Sequence, residues 1–203
     1  FFLWEEQSPR EAAIIGSFYG IGVFTLGTYW LYISLRQLGG APVPVVVLLM
    51  SALVLAMSAY TALAGWLATR IRAKSGPLHW LVVLPAAWVL VEWFRGWFLT
   101  GFPWLSIGYS QVDTPLAGWA PILGVHGVSW MLALLAGLGV MFLRGGSRLQ
   151  QLFAVVTGIA IVGLSMQLQS IIWTQPRDEP LRVALVQAAI PQEVKWSPAQ
   201  LQP

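Results

Sequence analysis

VPVVVLLMSALVLAMSAYTALAGWLAT, residues 43–69, contains no charged side chain anywhere along its length. Crossing the hydrocarbon core of a bilayer takes about 20 residues of helix, so this run is long enough to span one. Four more apolar stretches of similar length surround it, at about 12–35, 77–99, 116–143 and 149–173. The chain as a whole is 57% hydrophobic and 9% charged. Soluble domains carry roughly 25% charged residues. The fold class that follows is a membrane all-α helical bundle with about five transmembrane helices.

Local signals mark where these helices begin and bend. Ser8-Pro9-Arg10-Glu11 leads the first span, with proline placed for a first helical turn. Gly39-Gly40-Ala41-Pro42 precedes the second and Gly76-Pro77 the third, and Pro85 predicts a kink within the third. Charge sets the orientation. Arg70, Arg72 and Lys74 separate the second and third spans, Arg144 and Arg148 the fourth and fifth, and Arg10 precedes the first. The opposite loops, 36–44 and 100–115, hold one basic residue between them, Arg36. The positive-inside rule makes the arginine-rich side cytoplasmic, and an odd number of spans then places residues after Trp173 outside the cytoplasm.

A net charge of +3 would suggest a nucleic-acid partner in a soluble protein. Here the basic residues sit in short loops and report orientation, so no nucleic-acid partner is expected. The absence of cysteine excludes disulfides, thiolate metal sites and a cysteine nucleophile among these residues. Neither a metal site nor a cofactor is expected.

The character changes after Trp173. Residues 174–180 form a polar, proline-bracketed linker, and Leu181-Arg-Val-Ala-Leu-Val-Gln187 reads as a strand with an apolar run suited to burial on both sides. A lone strand needs partners, so the expectation is an extracytoplasmic domain that continues past Pro203. At the other end, Phe1 to Trp4 running into Glu5-Glu6 reads as the last turn of an earlier helix.

The candidate site lies in EWFRGWFLTGFPWLSIGYSQVD, residues 92–113. Glu92 and Arg95 are i, i+3 neighbours near the outer end of the third span, so a structural ion pair is expected. A polar anchor for a lipid head group or for a loop of a catalytic domain is the other reading. Trp88 shares their face, and Trp93 and Trp97 form an i, i+4 pair beside it. In the loop that follows, Gly101, Pro103 and Gly108 break the helix, Trp104 and Tyr109 offer amphipathic rings at head-group depth, and Gln111 and Asp113 add polar groups. An interfacial or re-entrant loop held by aromatics and a lipid-binding surface both fit this pattern. His126, between Gly124 and Gly127 in the fourth span, reads as a packed neutral imidazole bonded to a backbone carbonyl. His79 falls at the cytoplasmic boundary. Glu193 and Lys195 read as solvated, and Trp196 as the wall of a pocket.

Glu92-Trp-Phe-Arg-Gly, Thr100-Gly-Phe-Pro-Trp-Leu, Gly108-Tyr-Ser-Gln and Val186-Gln…Ile190-Pro-Gln…Lys195-Trp196 together resemble the bacterial apolipoprotein N-acyltransferases, in matching order across most of the chain. The resemblance implies a bacterial inner-membrane enzyme with a periplasmic nitrilase-like α/β sandwich. Residues 1–175 would be its polytopic transmembrane domain, and 176–203 the linker and first strand of that sandwich. It implies transfer of an acyl chain from a phospholipid donor to the N-terminal amine of a lipid-anchored apolipoprotein, through a thioester on a cysteine. The family's catalytic Glu, Lys and Cys would lie beyond Pro203, so Glu193 and Lys195 are not assigned those roles. Trp104, Tyr109, Gln111 and Trp196 are the candidate lipid- or substrate-binding residues. Two other classes compete with this reading. One is a transporter or channel subunit with Glu92, Arg95 and His126 along a polar path. The other is a plain membrane anchor for a hydrolase.

Overall fold

A computed structural model describes residues 1–71, 76–176, 182–187 and 189, and nearly all regular structure among them is helical. Three helical segments are long and apolar enough to cross a membrane: Val43–Arg70, Pro115–Arg144 and Arg148–Gln169. A bent pair, Pro9–Gly27 with Trp30–Leu38, counts as a fourth if its halves form one span.

Helix α1 (Pro9–Gly27) starts as its sequence predicts. The Ser8 hydroxyl accepts from the Glu11 amide at 3.3 Å while the Ser8 amide donates to the Glu11 carboxylate at 2.9 Å, closing a reciprocal cap. The segment expected as a span over 12–35 is bent: α1 ends at Gly27, and the short α2 (Trp30–Ile33) with its π-helical extension Ser34–Leu38 leaves at a 50° angle. Buried Thr28 closes the break by directing both its amide and its hydroxyl to the Phe24 carbonyl. The Leu105 side chain occupies the space that a Cβ on Gly27 would need.

Helix α3 (Val43–Arg70) runs antiparallel to α1 along an unusually close seam. A Cβ on Gly16 would run into the Thr61 carbonyl, one on Gly20 into Ser58 and Thr61, and one on Gly65 into the Ala12 carbonyl at 2.5 Å. The Thr61 hydroxyl donates to the Gly16 carbonyl at 2.8 Å. Small residues at four-residue spacing with a hydroxyl crossing the gap are how apolar helices associate where no hydrophobic force separates helix from lipid.

The third expected span is helical from residue 77 to 95 and is not regular. A π-turn, His79–Val83, precedes α4 (Leu84–Arg95), and the Leu84 amide bonds the His79 carbonyl five residues back. The distortion lies just before Pro85, whose ring would clash with the carbonyl four residues back in a regular ladder. The helix also stops four residues short of the expected Leu99, at Arg95, and residues 98–100 form a 3₁₀ turn. Helix α5 (Ala120–Arg144) follows a 3₁₀ turn at Pro115–Trp119 and is broken at Gly124, where φ is +64°. Helix α6 (Arg148–Gln169) ends four residues before Trp173.

The packing runs in chain order, α3 against α1 and α4, then α5 against α4 and α6. Arg10 and Arg70 fall at one end of the antiparallel α1–α3 pair, and the end of α5 joins them through Glu5. That carboxylate accepts from the Trp80 indole at 2.8 Å and lies 3.8 Å from the Arg144 guanidinium, which itself sits 4.4 Å above the Phe2 ring. Residues Phe2–Trp4 form a 3₁₀ turn.

The strand expected at 181–187 does not form among the described residues. Residues 182–187 are irregular, with Val183, Leu185 and Val186 exposed. Backbone without a neighbouring strand has no ladder to join, so β-propensity alone cannot make one. Leu181, most of the expected linker, Arg72 and Lys74 lie outside the described residues.

Candidate functional site

Three residues of one α4 face, Trp88, Glu92 and Arg95, follow one another at helical spacing toward the outer loop. Glu92 is 5% exposed and Arg95 4%. Burying both groups is costly without partners, and the expected solution, an ion pair between them, is not the one found. Among the described residues no ion pair within 4 Å joins the two side chains, and each binds the loop ahead of it. Arg95 Nη1 donates to the carbonyls of Phe102 at 2.7 Å and Trp104 at 2.6 Å, and Nη2 donates to Ser106 Oγ at 3.3 Å. Glu92 Oε1 accepts from the Ile107 amide at 2.7 Å. The loop folds back over the end of α4 and points these groups inward, so both side chains meet better-aligned partners there than in each other. Arg95 also lies 5.3 Å from the centre of the Phe24 ring, which ties the cluster to α1.

These bonds hold a contorted backbone. Leu99, Thr100 and Leu105 take φ values of +50°, +74° and +62°, in the left-handed region that side chains disfavour. Such conformations persist only where surrounding contacts over-determine them, and they concentrate at ligand clamps and active sites. Further along, the Gly108 amide donates to Ser129 Oγ at 2.9 Å, and a Cβ on Gly108 would meet the Val125 carbonyl. The loop is thus fastened to α4 by two charged side chains and to α5 by a glycine contact.

Trp104 is 53% exposed and packs beside Trp30 and Phe102, with ring centres 6.4 Å and 5.4 Å away. Tyr109, 56% exposed, sits on the 3₁₀ turn Ile107–Gln111. Among the described residues no ring contact joins Trp104 to Tyr109. Gln111 is engaged within the loop: its Nε2 donates to Ser110 Oγ at 2.8 Å and its Oε1 accepts from Thr114 Oγ1 at 3.0 Å. Trp93 and Trp97 do form the expected pair, edge to face at 5.4 Å. Trp196, Glu193 and Lys195 lie outside the described residues.

His126 follows the Gly124 break, and its buried Nδ1 has no hydrogen-bond partner, so the expected bond from that atom to a carbonyl is not made. Nor do its flanking glycines serve helix–helix contact. Gly124 supplies the positive φ, and the space beside Gly127 is filled by Leu123 of the same helix. His79, expected at the boundary, is buried in the bundle.

Sequence reasoning passed over Ser106, Ser129 and Trp30. Ser106 and Ser129 are both buried, and a hydroxyl in an apolar setting is a signal that some backbone group needs a partner. The assembled site offers a fixed aromatic surface beside the end of the bundle opposite the arginines.

A sequence profile described as the apolipoprotein N-acyltransferase N-terminal domain matches residues 1–138. The chain is 43% identical over 201 residues to the apolipoprotein N-acyltransferase of Methylococcus capsulatus, covering 98% of this chain and 39% of that protein. It is 44% identical over 198 residues to the protein of the same name from Azotobacter vinelandii, covering 97% and 38%. With that from Vibrio cholerae the identity is 37% over 202 residues, covering 99% and 39%. The chain therefore spans about two fifths of the length of these relatives.

Proposed function

The chain belongs to the apolipoprotein N-acyltransferase family, and from that premise we propose that it is the membrane platform of an enzyme that N-acylates bacterial lipoproteins. In this reading a cysteine thiolate attacks an ester carbonyl of a phospholipid, the ester C–O bond breaks and the lysophospholipid leaves, and the amine of the diacylglyceryl-cysteine then attacks the thioester and releases the cysteine thiolate. A glutamate takes the proton and a lysine supports the oxyanion. All three bond-making residues lie outside this chain. Its own residues position the lipid substrates.

The observation that carries the proposal is the strained, aromatic-tipped loop fixed by buried Glu92 and Arg95. An anchor needs only to cross the membrane, and a polar conduit needs its charged groups free to meet a solute. Here both buried charged groups, Glu92 and Arg95, are bound to the loop, and the rings of Trp104 and Tyr109 are exposed on it. Trp104 and Tyr109 have the amphipathic character that places side chains at head-group depth, and both substrates are lipid-anchored at that depth. The arginine-rich end then faces the cytoplasm of the bacterial inner membrane, the loop faces the periplasm, and residues 77–95 count as a fifth span.

Substituting Trp104→Ala in the full-length enzyme tests the reading. Acyl transfer is expected to fall about tenfold, equivalent to ~1.4 kcal/mol, with unchanged thermal stability. Wild-type transfer rates in the variant would rule out the platform role.

A further inference from the structure

Helix α6 is loosely held along most of its length and tightly held at one end. Only 11% of its most apolar stretch is buried, against 39% for Pro115–Arg144. Along its middle it faces α5 across an open groove lined by Leu135, Phe142, Val155 and Ile159, and a Cβ on Gly163 would meet nothing within 4 Å. At the outer end, Gly118 of the turn Pro115–Trp119 comes so close that a Cβ there would run into the Ser165 carbonyl. The Trp119 indole donates to Oγ of fully buried Ser165 at 2.9 Å, and Gln169 Nε2 donates to the Thr114 carbonyl at 3.0 Å. From Thr114 the hydrogen bonds continue into the loop. The Thr114 hydroxyl bonds Gln111, the Gln111 amide donates to Ser110, Ser110 donates to the Ile107 carbonyl, and the Ile107 amide donates to Glu92. Beyond Gln169 the chain stays close, because the Trp173 indole donates back to the Leu168 carbonyl at 3.3 Å.

We propose that Trp119, Ser165 and Gln169 are positioning residues for acyl transfer: they fix the point where the chain leaves the membrane relative to the loop that carries Trp104 and Tyr109. The inference rests on the proposed function, in which the bond-making residues lie beyond Pro203 and so follow α6 in the chain. A helix that only crosses a bilayer needs no fastening confined to one end. Here the fastening joins the exit of α6 to the same loop that Glu92 and Arg95 hold. None of the three residues reaches the reacting atoms. They act through the tether, because the effective concentration of a tethered group depends on where its anchor lies and how freely it moves. At a reacting centre a misplacement of ~1 Å can cost about 100-fold. Gln111 belongs to this fastening, with both ends of its amide engaged.

The test measures acyl transfer from phospholipid to a diacylglyceryl lipopeptide by the full-length enzyme in lipid nanodiscs. Trp119→Phe combined with Gln169→Ala removes both side-chain bonds, and the Ser165 hydroxyl keeps its bond to the Ile161 carbonyl, so the protein should fold. Its kcat is expected to fall about tenfold while KM for the phospholipid stays within about twofold, since the aromatic loop is unaltered. A second arm inserts about eight Gly and Ser residues after Trp173, which releases the following chain from α6. The insertion should lower kcat by itself, and in that background the two substitutions should add less than about 1.5-fold. If the folded double variant keeps the wild-type kcat, if the insertion is harmless, or if the two losses multiply, the positioning role is overturned while the acyl-transfer reading stands. A wild-type enzyme that transferred no acyl chain would contradict that reading, and this proposal with it.

Discussion

Along the α1–α3 seam, backbones meet across Gly16, Gly20 and Gly65, and one threonine hydroxyl crosses the gap. At the end of α4 the loop backbone also comes close, but two buried charged side chains hold it there. The seam depends on the absence of volume and the joint on the presence of hydrogen bonds. Dense packing of small residues suits two helices that need only stay together. Directional, charge-assisted bonds suit a segment whose backbone must hold an unfavourable shape. The joint holds Leu99, Thr100 and Leu105 at positive φ, and the exposed rings of Trp104 and Tyr109 lie on the same loop.

The largest effect is expected at the joint. Arg95→Ala leaves the carbonyls of Phe102 and Trp104 without their donor, and each buried group left unpaired costs about 1–3 kcal/mol. The loop should relax, and acyl transfer by the full-length enzyme should fall about 100-fold, the scale associated with a misplacement of ~1 Å. Hydrogen exchange at residues 98–107 would show the loosening directly. At the seam, Gly16→Val forces a side chain into the Thr61 backbone and should cost about 1–3 kcal/mol by overpacking. Its thermal midpoint should drop while the activity of the folded fraction is unchanged. If Gly16→Val instead silenced folded enzyme, the division between packing and presentation would fail.

Smaller effects sharpen the same contrast. Thr61→Val removes the hydroxyl from the seam and keeps its shape, so the expected loss is about 0.6 kcal/mol, the mean for such bonds between membrane helices. A loss several times larger would mean the seam also relies on hydrogen bonding. The smallest effect is at the start of α1, outside the spanning segment. There the Ser8 hydroxyl, and then its amide, hold the Glu11 carboxyl below its ordinary pKa. A depressed carboxylate contributes stability above its unfolded pKa, and that contribution disappears as pH falls through the lower folded value. Ser8→Ala should move the Glu11 titration back up toward the ordinary value, as read by NMR.

Much of this architecture is legible from residue order. Uncharged length alone locates Val43–Arg70, Pro115–Arg144 and Arg148–Gln169, because the number of residues needed to cross a bilayer is a physical constant of the solvent. Pro9 in Ser8-Pro9-Arg10-Glu11 marks the start of α1. The loop was singled out because Glu92 and Arg95 are improbable in apolar surroundings. What they bind was not legible. Spacing of i, i+3 says that two side chains are neighbours, and it says nothing about a loop folding back over them from seven to fifteen positions ahead. The 50° bend near Thr28 is no more legible: Gly27 packs there against Leu105, which is distant in sequence. The strand expected at 181–187 rested on local propensity, which is no substitute for a pairing partner.

The most direct measurement of whether the joint acts by presenting the loop is a double-mutant cycle in the full-length enzyme, with Arg95→Lys and Trp104→Ala. Lysine keeps the charge but loses the planar fork that reaches two carbonyls and a hydroxyl. If Arg95 works through the placement of Trp104, the double variant should transfer acyl chains no more slowly than the poorer single variant, within about twofold. Losses that multiply in a folded double variant would show that the two residues act independently and would contradict the coupling.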